Sequence, residues 1–314
     1  MNNEYKLKFS KPLLEVKDIT GKIPDTCPYP IPFAQKSLLF EFEGASFINQ
    51  QLYYETFKID MFHLNTDEPF LIEYTVPNDR IFFNFILHGQ VFFGTEDQTL
   101  ITAPKDCTFY LSAEKAGSYS AKVPKGSTDV IVISLLPGWI ASAVDNYPTL
   151  SEAVEHLLLS KNRYEVLPHC RIDDQVREWM FEFLSVKYKN TIVQQSLLGT
   201  RIAMTLCYYE ELLASTSMGK MYQIKRYIDR NILSTDLDLS LMCEKVYLSE
   251  RTIIRRFKEE YGVSVKAYYN QVRMQQARQL IENEKLPIKE VVNKIGFFDE
   301  SAFRRAYRKY LLEL

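Results

Sequence analysis

Six cationic side chains in the last third of the chain fall into two sets at helical spacing: Arg251, Arg255 and Lys258, then Arg304, Arg305 and Arg308. A guanidinium is a planar fork that grips a phosphate or the O6/N7 edge of guanine bidentately, and an ammonium is a point charge suited to phosphate. Such a set on one side of a helix fits a nucleic-acid groove. It also fits an ordinary solvated helix face, which is what most Lys/Arg runs are.

The elements that would carry these groups decide between the two. One copy of a pattern runs Leu239, Met242, Cys243, Val246, Tyr247, Leu248, then a cap at Ser249 and a helix with Ile253 and Phe257 on its apolar side. A second runs Ile288, Val291, Val292, Ile295, Gly296, Phe297, then Asp299, with Phe303 and Tyr307 on the apolar side. The offset is 49 residues up to the turn and 50 beyond it, because Phe298 is an extra turn residue. Apolar positions at i, i+3, i+4 and i+7, a short turn and an oxygen-bearing cap describe a helix-turn-helix. The basic sets lie on the second helix of each copy, where a helix end enters a major groove. Two in-register copies with cap, core and basic face in the same places point to DNA rather than to solvent.

Between the copies, Ser264 to Ile281 predicts one helix of about 20 residues, roughly 30 Å long. That is close to the ~34 Å of one duplex turn, so a stiff connector would hold two recognition helices in successive major grooves.

Residues 221–310 resemble the DNA-binding domain of AraC/XylS-type bacterial transcription regulators. The residues that carry the likeness are the R-x-F-K of Arg255 to Lys258, Gly262 with Ser264, Arg273 with Ala277, Ile288 to Val292, Gly296-Phe297, Asp299, and Phe303 to Tyr307. The resemblance implies base-reading positions at Arg251, Thr252, Ile254 and Arg255 in the first recognition helix, and at Glu300, Ser301, Arg304 and Arg305 in the second. It also implies double-stranded DNA and RNA polymerase as partners. Glu300 has two readings: an acceptor for cytosine N4, or a first-turn acid favourable to the helix dipole.

Two departures carry expectations. Tyr247 stands where the family commonly has Gly, and a left-handed backbone there would cost roughly 1–2 kcal/mol. The family pattern also continues with a Gly, a Thr-Pro and a short helix, whereas this chain stops at Tyr310-Leu-Leu-Glu-Leu314. Loss of that packing predicts reduced helicity in the second motif.

The chain has 314 residues, 46% hydrophobic, with a net charge of −2. Residues 221–314 hold 18 Lys/Arg against 13 Asp/Glu, a net of +5, and the remainder 20 against 27, a net of −7. A basic reader joined to an acidic control region fits this split. Five singly scattered cysteines and four widely separated histidines (His63, His88, His156, His169) form no zinc or cupin-metal motif, so no cofactor or metal is expected. His63 and His88 read as satisfied strand-end residues or ligand contacts. No apolar run long enough for a signal peptide or a membrane span is present, which places the expectation in the cytoplasm.

From about Phe40 to Leu136 the texture is β: the runs 51–57, 70–76, 81–87, 90–93, 108–111 and 130–135 are β-branched and aromatic. Residues 82–93 about His88-Gly89-Gln90 predict a hairpin. Both faces of 81–87 are apolar, so the inward face is not legible. Short strands without intervening helices imply a sandwich or barrel able to hold one small ligand, and its aromatic density (Tyr53, Tyr54, Phe57, Phe62, Phe70, Tyr74, Phe82, Phe83, Phe85, Phe92, Phe93, Phe109, Tyr110) suits a flat or apolar effector or simply a core. Segment order resembles AraC-type regulators with cupin-like sensor domains.

Residues 173–187 place Val176, Trp179, Met180, Phe183 and Leu184 on one helical face, and 192–213 continue with Ile192, Leu197, Ala203, Leu206 and Leu213. These faces either close the barrel or meet a second subunit, and a homodimer is expected. Ala214 to Gly219 reads as a flexible linker.

The expected fold is α+β: a cupin-like β-barrel sensor over 1–145, a helical dimerisation and linker segment over 146–218, and an all-α domain with two helix-turn-helix motifs over 219–314. The expected function is sequence-specific, effector-responsive transcription regulation. The alternatives are a regulator whose barrel binds a protein or is purely structural, and a cupin-type enzyme, which the absence of His-x-His, a G-x-S-x-G elbow or a phosphate loop disfavours.

Overall fold

The computed structural model describes residues 6–160, 162–185, 187, 190–232 and 238–312. They fall into two compact units, Met1–Leu212 and Leu213–Leu314. The first is β-rich and the second helical, so the fold class is α+β.

Twelve strands open the first unit: β1 (Lys6–Phe9), β2 (Leu13–Asp18), β3 (Lys36–Phe42), β4 (Ala45–Tyr53), β5 (Phe57–Thr66), β6 (Phe70–Val76), β7 (Arg80–His88), β8 (Phe92–Thr95), β9 (Leu100–Thr102), β10 (Thr108–Glu114), β11 (Gly117–Val123) and β12 (Gly126–Leu135). Then come α1 (Pro137–Ala143), α2 (Pro148–Leu159), the short strands β13 (Tyr164–Val166) and β14 (Cys170–Arg171), α3 (Asp174–Ser185) and α4 (Thr191–Ser215). One antiparallel sheet has the order β1-β6-β11-β8-β9; the other runs β13-β10-β7-β12-β5-β4-β3-β2, with β14 also on β10. Phe42, Phe47, Leu64 and Ile86 from the larger sheet meet Phe70, Ile72 and Val123 from the smaller one in a buried core.

Side chains alternate across a strand, and β7 shows what that does to a run apolar on both sides. Phe82, Asn84 and Ile86 face the inter-sheet core. Phe83 and Phe85 face the other way, onto Phe109 and Tyr209 of α4. Both faces are apolar because both are covered.

Several expectations need correction here. The 82–93 hairpin does not form: β7 pairs with β10 and β12, whereas β8 pairs with β11 and β9. Gly89 does take a positive φ of 83°, but the turn carries the chain from one sheet to the other. A Cβ there would sit 2.4 Å from Thr128 Oγ1 and 2.7 Å from Ser127 O. The run 51–57 straddles the β4–β5 turn, closed by Tyr54 N–H to Phe57 O at 3.0 Å. β structure also begins well before Phe40, at Lys6. His63 lies mid-strand, with Nδ1 2.8 Å from Asp129 Oδ1 of the paired strand, while His88 ends β7 beside Asp106.

The helical segment is also corrected in part. Val176, Met180 and Leu184 are buried in the single chain, as are Leu206 and Leu213. Among the described residues, Phe181, Ile192, Val193, Leu197 and Met204 are the large apolar residues left exposed on α3 and α4. The Phe183 side chain lies outside the described residues. Ala214 to Gly219 is not an open linker: α4 runs to Ser215, and Thr216 caps the next helix, its side chain accepting from the Gly219 N–H at 3.1 Å. Small polar residues read as a break because they favour caps, and here they make one.

Candidate nucleic-acid interface

The second unit holds α5 (Ser217–Arg230), α6 (Leu239–Val246), α7 (Glu250–Tyr261), α8 (Val265–Glu282), α9 (Ile288–Lys294) and α10 (Glu300–Leu312). α6 with α7, and α9 with α10, are the two predicted motifs. Each has its own core. Met221 and Ile228 of α5, Met242, Val246, Ile253 and Phe257 bury against Val265 and Tyr269 at the start of α8. Val291, Val292, Ile295 and Phe303 bury against Met274, Ala277 and Leu280 at its end. One helix therefore supplies a wall to both motifs. Its 18 residues give about 27 Å of axis, a little short of the sequence expectation.

The turns are built alike. Tyr247 and Gly296 are both left-handed, with φ of 53° and 67°. The next N–H reaches back into the helix in each: Leu248 to Cys243 O at 3.3 Å and Phe297 to Val292 O at 3.1 Å. These five-residue closures satisfy helix-end carbonyls. Each second helix is then capped. Ser249 Oγ accepts from the Thr252 N–H at 3.4 Å, and Asp299 Oδ1 from the Ala302 N–H at 2.7 Å.

Arg273 adds a latch at the second turn. Its guanidinium donates from Nε and Nη2 to Ile295 O at 2.9 and 2.6 Å and from Nη2 to Gly296 O at 2.6 Å, while lying 4.2 Å over the Phe297 ring. A buried cation here closes the carbonyl end of α9, where the helix dipole favours positive charge. The sequence marked Arg273 and Ala277 only as parts of a motif; Ala277 is the fully buried residue one turn on.

With Ile253, Phe257 and Phe303 buried, helical geometry turns the remaining positions outward. Arg251, Ile254, Arg255 and Lys258 are exposed on α7, with Thr252 half-buried; Glu300, Ser301, Arg304, Arg305 and Arg308 are exposed on α10. Arg255 Nη1 lies 3.0 Å from Glu259 Oε1, and Arg304 Nη2 2.6 Å from Glu300 Oε1. Both pairs are well exposed, hence worth only about 0.3–0.5 kcal/mol each, so a phosphate or base edge displaces them readily. Glu300 thus has an intrahelical donor. Arg251, Arg305 and Arg308 hold no ion pair among the described residues.

The expectation of reduced helicity in the second motif is not met. α9 and α10 are helical, and Tyr307 and Tyr310 extend the Phe303 stack along α10. Residues 313–314 lie outside the described residues.

A family profile described as "Helix-turn-helix domain" matches residues 242–314. The Msm operon regulatory protein of Streptococcus mutans is 36% identical over 98 residues, 31% of this chain and 35% of that protein. The arabinose operon regulatory protein of Escherichia coli is 27% identical over 84 residues, 27% of this chain and 29% of that protein. The matched stretch thus spans about a third of these relatives' length. ToxT of Vibrio cholerae, a solved structure, aligns over 82% of this chain and 95% of its own at 15% identity and a TM-score of 0.29.

Proposed function

We propose, from an AraC-type helix-turn-helix domain at the C-terminal end of the chain, that this protein is a sequence-specific DNA-binding transcription regulator. One observation carries the reading: two capped helices with outward arginines, one in each motif, are built on opposite halves of a single helix, α8. In this reading Arg251, Thr252, Ile254 and Arg255, with Glu300, Ser301, Arg304 and Arg305, face base edges, and Lys258 and Arg308 face phosphates. The recognition helices enter successive major grooves on one side of the duplex.

Residues 1–145 act as the sensor domain, 146–218 as the helical dimerisation segment and 219–314 as the DNA reader. A small-molecule effector in the β-rich unit favours one population of the protein over another and shifts DNA occupancy by its differential affinity. The activity is binding rather than catalysis, it is exerted in the cytoplasm, and RNA polymerase is the downstream partner. A second copy of the chain covers the exposed apolar side of α3 and α4, where Phe181 and Ile192 are 73% and 75% exposed. No helix among the described residues is long and apolar enough to cross a membrane.

Selection of bound sequences from random duplexes by the full-length protein tests the core of this reading. Two short conserved blocks spaced by one helical turn are expected. Enrichment of no motif, with affinity set by salt alone, removes sequence-specific recognition.

A further inference from the structure

Between the two sheets lies a cavity of about 100 Å3. Its walls are almost wholly apolar, with Phe47, Phe62, Phe82, Phe93 and Val132 among them. The polar lining side chains are Tyr74, Asn84, Glu114 and Thr128; among the described residues no lysine, arginine or histidine lines it. Asn84 is already engaged, donating from Nδ2 to Ser112 Oγ at 3.0 Å. Glu114 is half satisfied: Oε1 accepts from the Tyr74 hydroxyl at 3.1 Å, and Oε2, out of solvent contact, has no hydrogen-bond partner among the described residues. Native interiors rarely leave such an atom unpaired, so an orphaned carboxyl oxygen beside an apolar void marks where a ligand's donor would go. Two charges elsewhere in this unit, Lys58 and Asp60, neutralise each other at 2.9 Å.

Resting on the effector reading above, we propose that this cavity takes a small apolar molecule, about one ring in size, whose single polar group donates a hydrogen bond to Glu114 Oε2. The ligand class is an arylalkyl amine or alcohol, not a carboxylic acid. Size follows from volume: a dry apolar cavity of about 150 Å3 holds benzene, and this one is smaller, so a single ring is the upper limit and its walls must give slightly to admit the head group. Head-group class follows from charge. An anionic head would be buried with no cation in the lining, next to a carboxyl that also turns negative as pH rises. An amine or hydroxyl instead completes the hydrogen bonding of Glu114, and an ammonium head gains an ion pair when the carboxyl ionises.

The test is thermal-shift and calorimetric titration of the full-length protein with benzylamine, benzyl alcohol and benzoate. Benzylamine and benzyl alcohol are expected to raise the melting temperature, benzylamine the more, and benzoate to bind about tenfold more weakly than benzylamine or not at all. Glu114→Gln keeps an acceptor but loses the charge, so it should erase the preference for benzylamine over benzyl alcohol. Val132→Phe fills the space and should abolish binding of all three, which keeps the test decisive if Glu114→Gln unfolds. Benzoate binding as tightly as benzylamine, an unchanged preference in Glu114→Gln, or no shift with any probe each overturns the proposal. Operator affinity is measured alongside: probes that bind without altering it leave the ligand site standing and remove only its role as effector.

Discussion

Tyr247 and Gly296 occupy one backbone conformation at equivalent turns 49 residues apart, left-handed in both cases, yet only Gly296 adopts it without a Cβ penalty. The Tyr247 ring recovers little for its strain, being 88% exposed. Turn geometry is therefore imposed by the helix-turn-helix closure, not by the local preference of the residue that makes it.

Tyr247→Gly should accordingly stabilise the second unit. Relief of roughly 1–2 kcal/mol of left-handed strain is offset by the greater freedom of glycine in the unfolded chain, leaving a net gain of about 0.5–1 kcal/mol. Urea unfolding of the full chain, followed on a probe in the C-terminal unit, should show a higher midpoint. A lower midpoint would mean that the ring packs or binds in a way its exposure conceals.

Arg273→Ala should cost about 2–4 kcal/mol, because Ile295 O and Gly296 O lose their charged donor inside the protein. Arg273→Lys should recover only part of this, since an ammonium is not a planar fork. The loss should appear as faster amide exchange through α9 and its turn. Unchanged exchange there would show that the latch is dispensable.

Arg251→Ala and Arg255→Ala should each weaken specific DNA binding by about 1–3 kcal/mol and relax base preference at one position. Arg308→Ala should weaken all sequences alike and lower the salt dependence of binding. Competition binding against a panel of single-base operator variants separates the two patterns. Uniform loss from Arg251→Ala would reassign it to phosphate.

Burial pushes the Glu114 carboxyl from 4.5 up to about 7, with the Tyr74 hydrogen bond pulling the other way. Arg80 of β7 and Tyr164 of β13 are its register partners, and Tyr74 and Tyr119 face it from β6 and β11. The folded value lies above the unfolded one, so the native state binds the proton more tightly, and stability falls as pH rises from 4.5 to 7 before levelling off. The full effect is on the order of 3 kcal/mol. Glu114→Gln should be more stable than wild type at about pH 8, match it near pH 4.5, and flatten the profile between. A wild-type profile that is flat or rising through that window would contradict the buried placement.

Ile192→Glu should turn a dimer into a monomer by light scattering, with little change in melting of the single chain, because the side chain is exposed. The same change at Val176 would unfold the protein instead, since that residue is fully buried in the single chain.

Much of the second unit is legible in the sequence alone. Caps such as Ser249 and Asp299, apolar pairs such as Ile253 with Phe257, and the offset between the copies are local features, written within one or two helical turns. The fold class and the segment that carries the basic helices were readable on that ground. What was not readable was the duty of Arg273: its partners, Ile295 and Gly296, are backbone carbonyls 22 and 23 residues away.

Sequence by itself determined the paired motifs, the shared helix between them and the outward arginines, because helix periodicity and capping act through neighbours a few residues apart. Tertiary structure alone decided the β-rich unit: that Gly89 sends the chain across to the other sheet, that Phe82 faces inward and Phe83 outward, and that Glu114 ends beside an apolar cavity. Strand pairing joins residues distant in sequence, and a strand covered on both faces loses the polar alternation that would have announced its inner side.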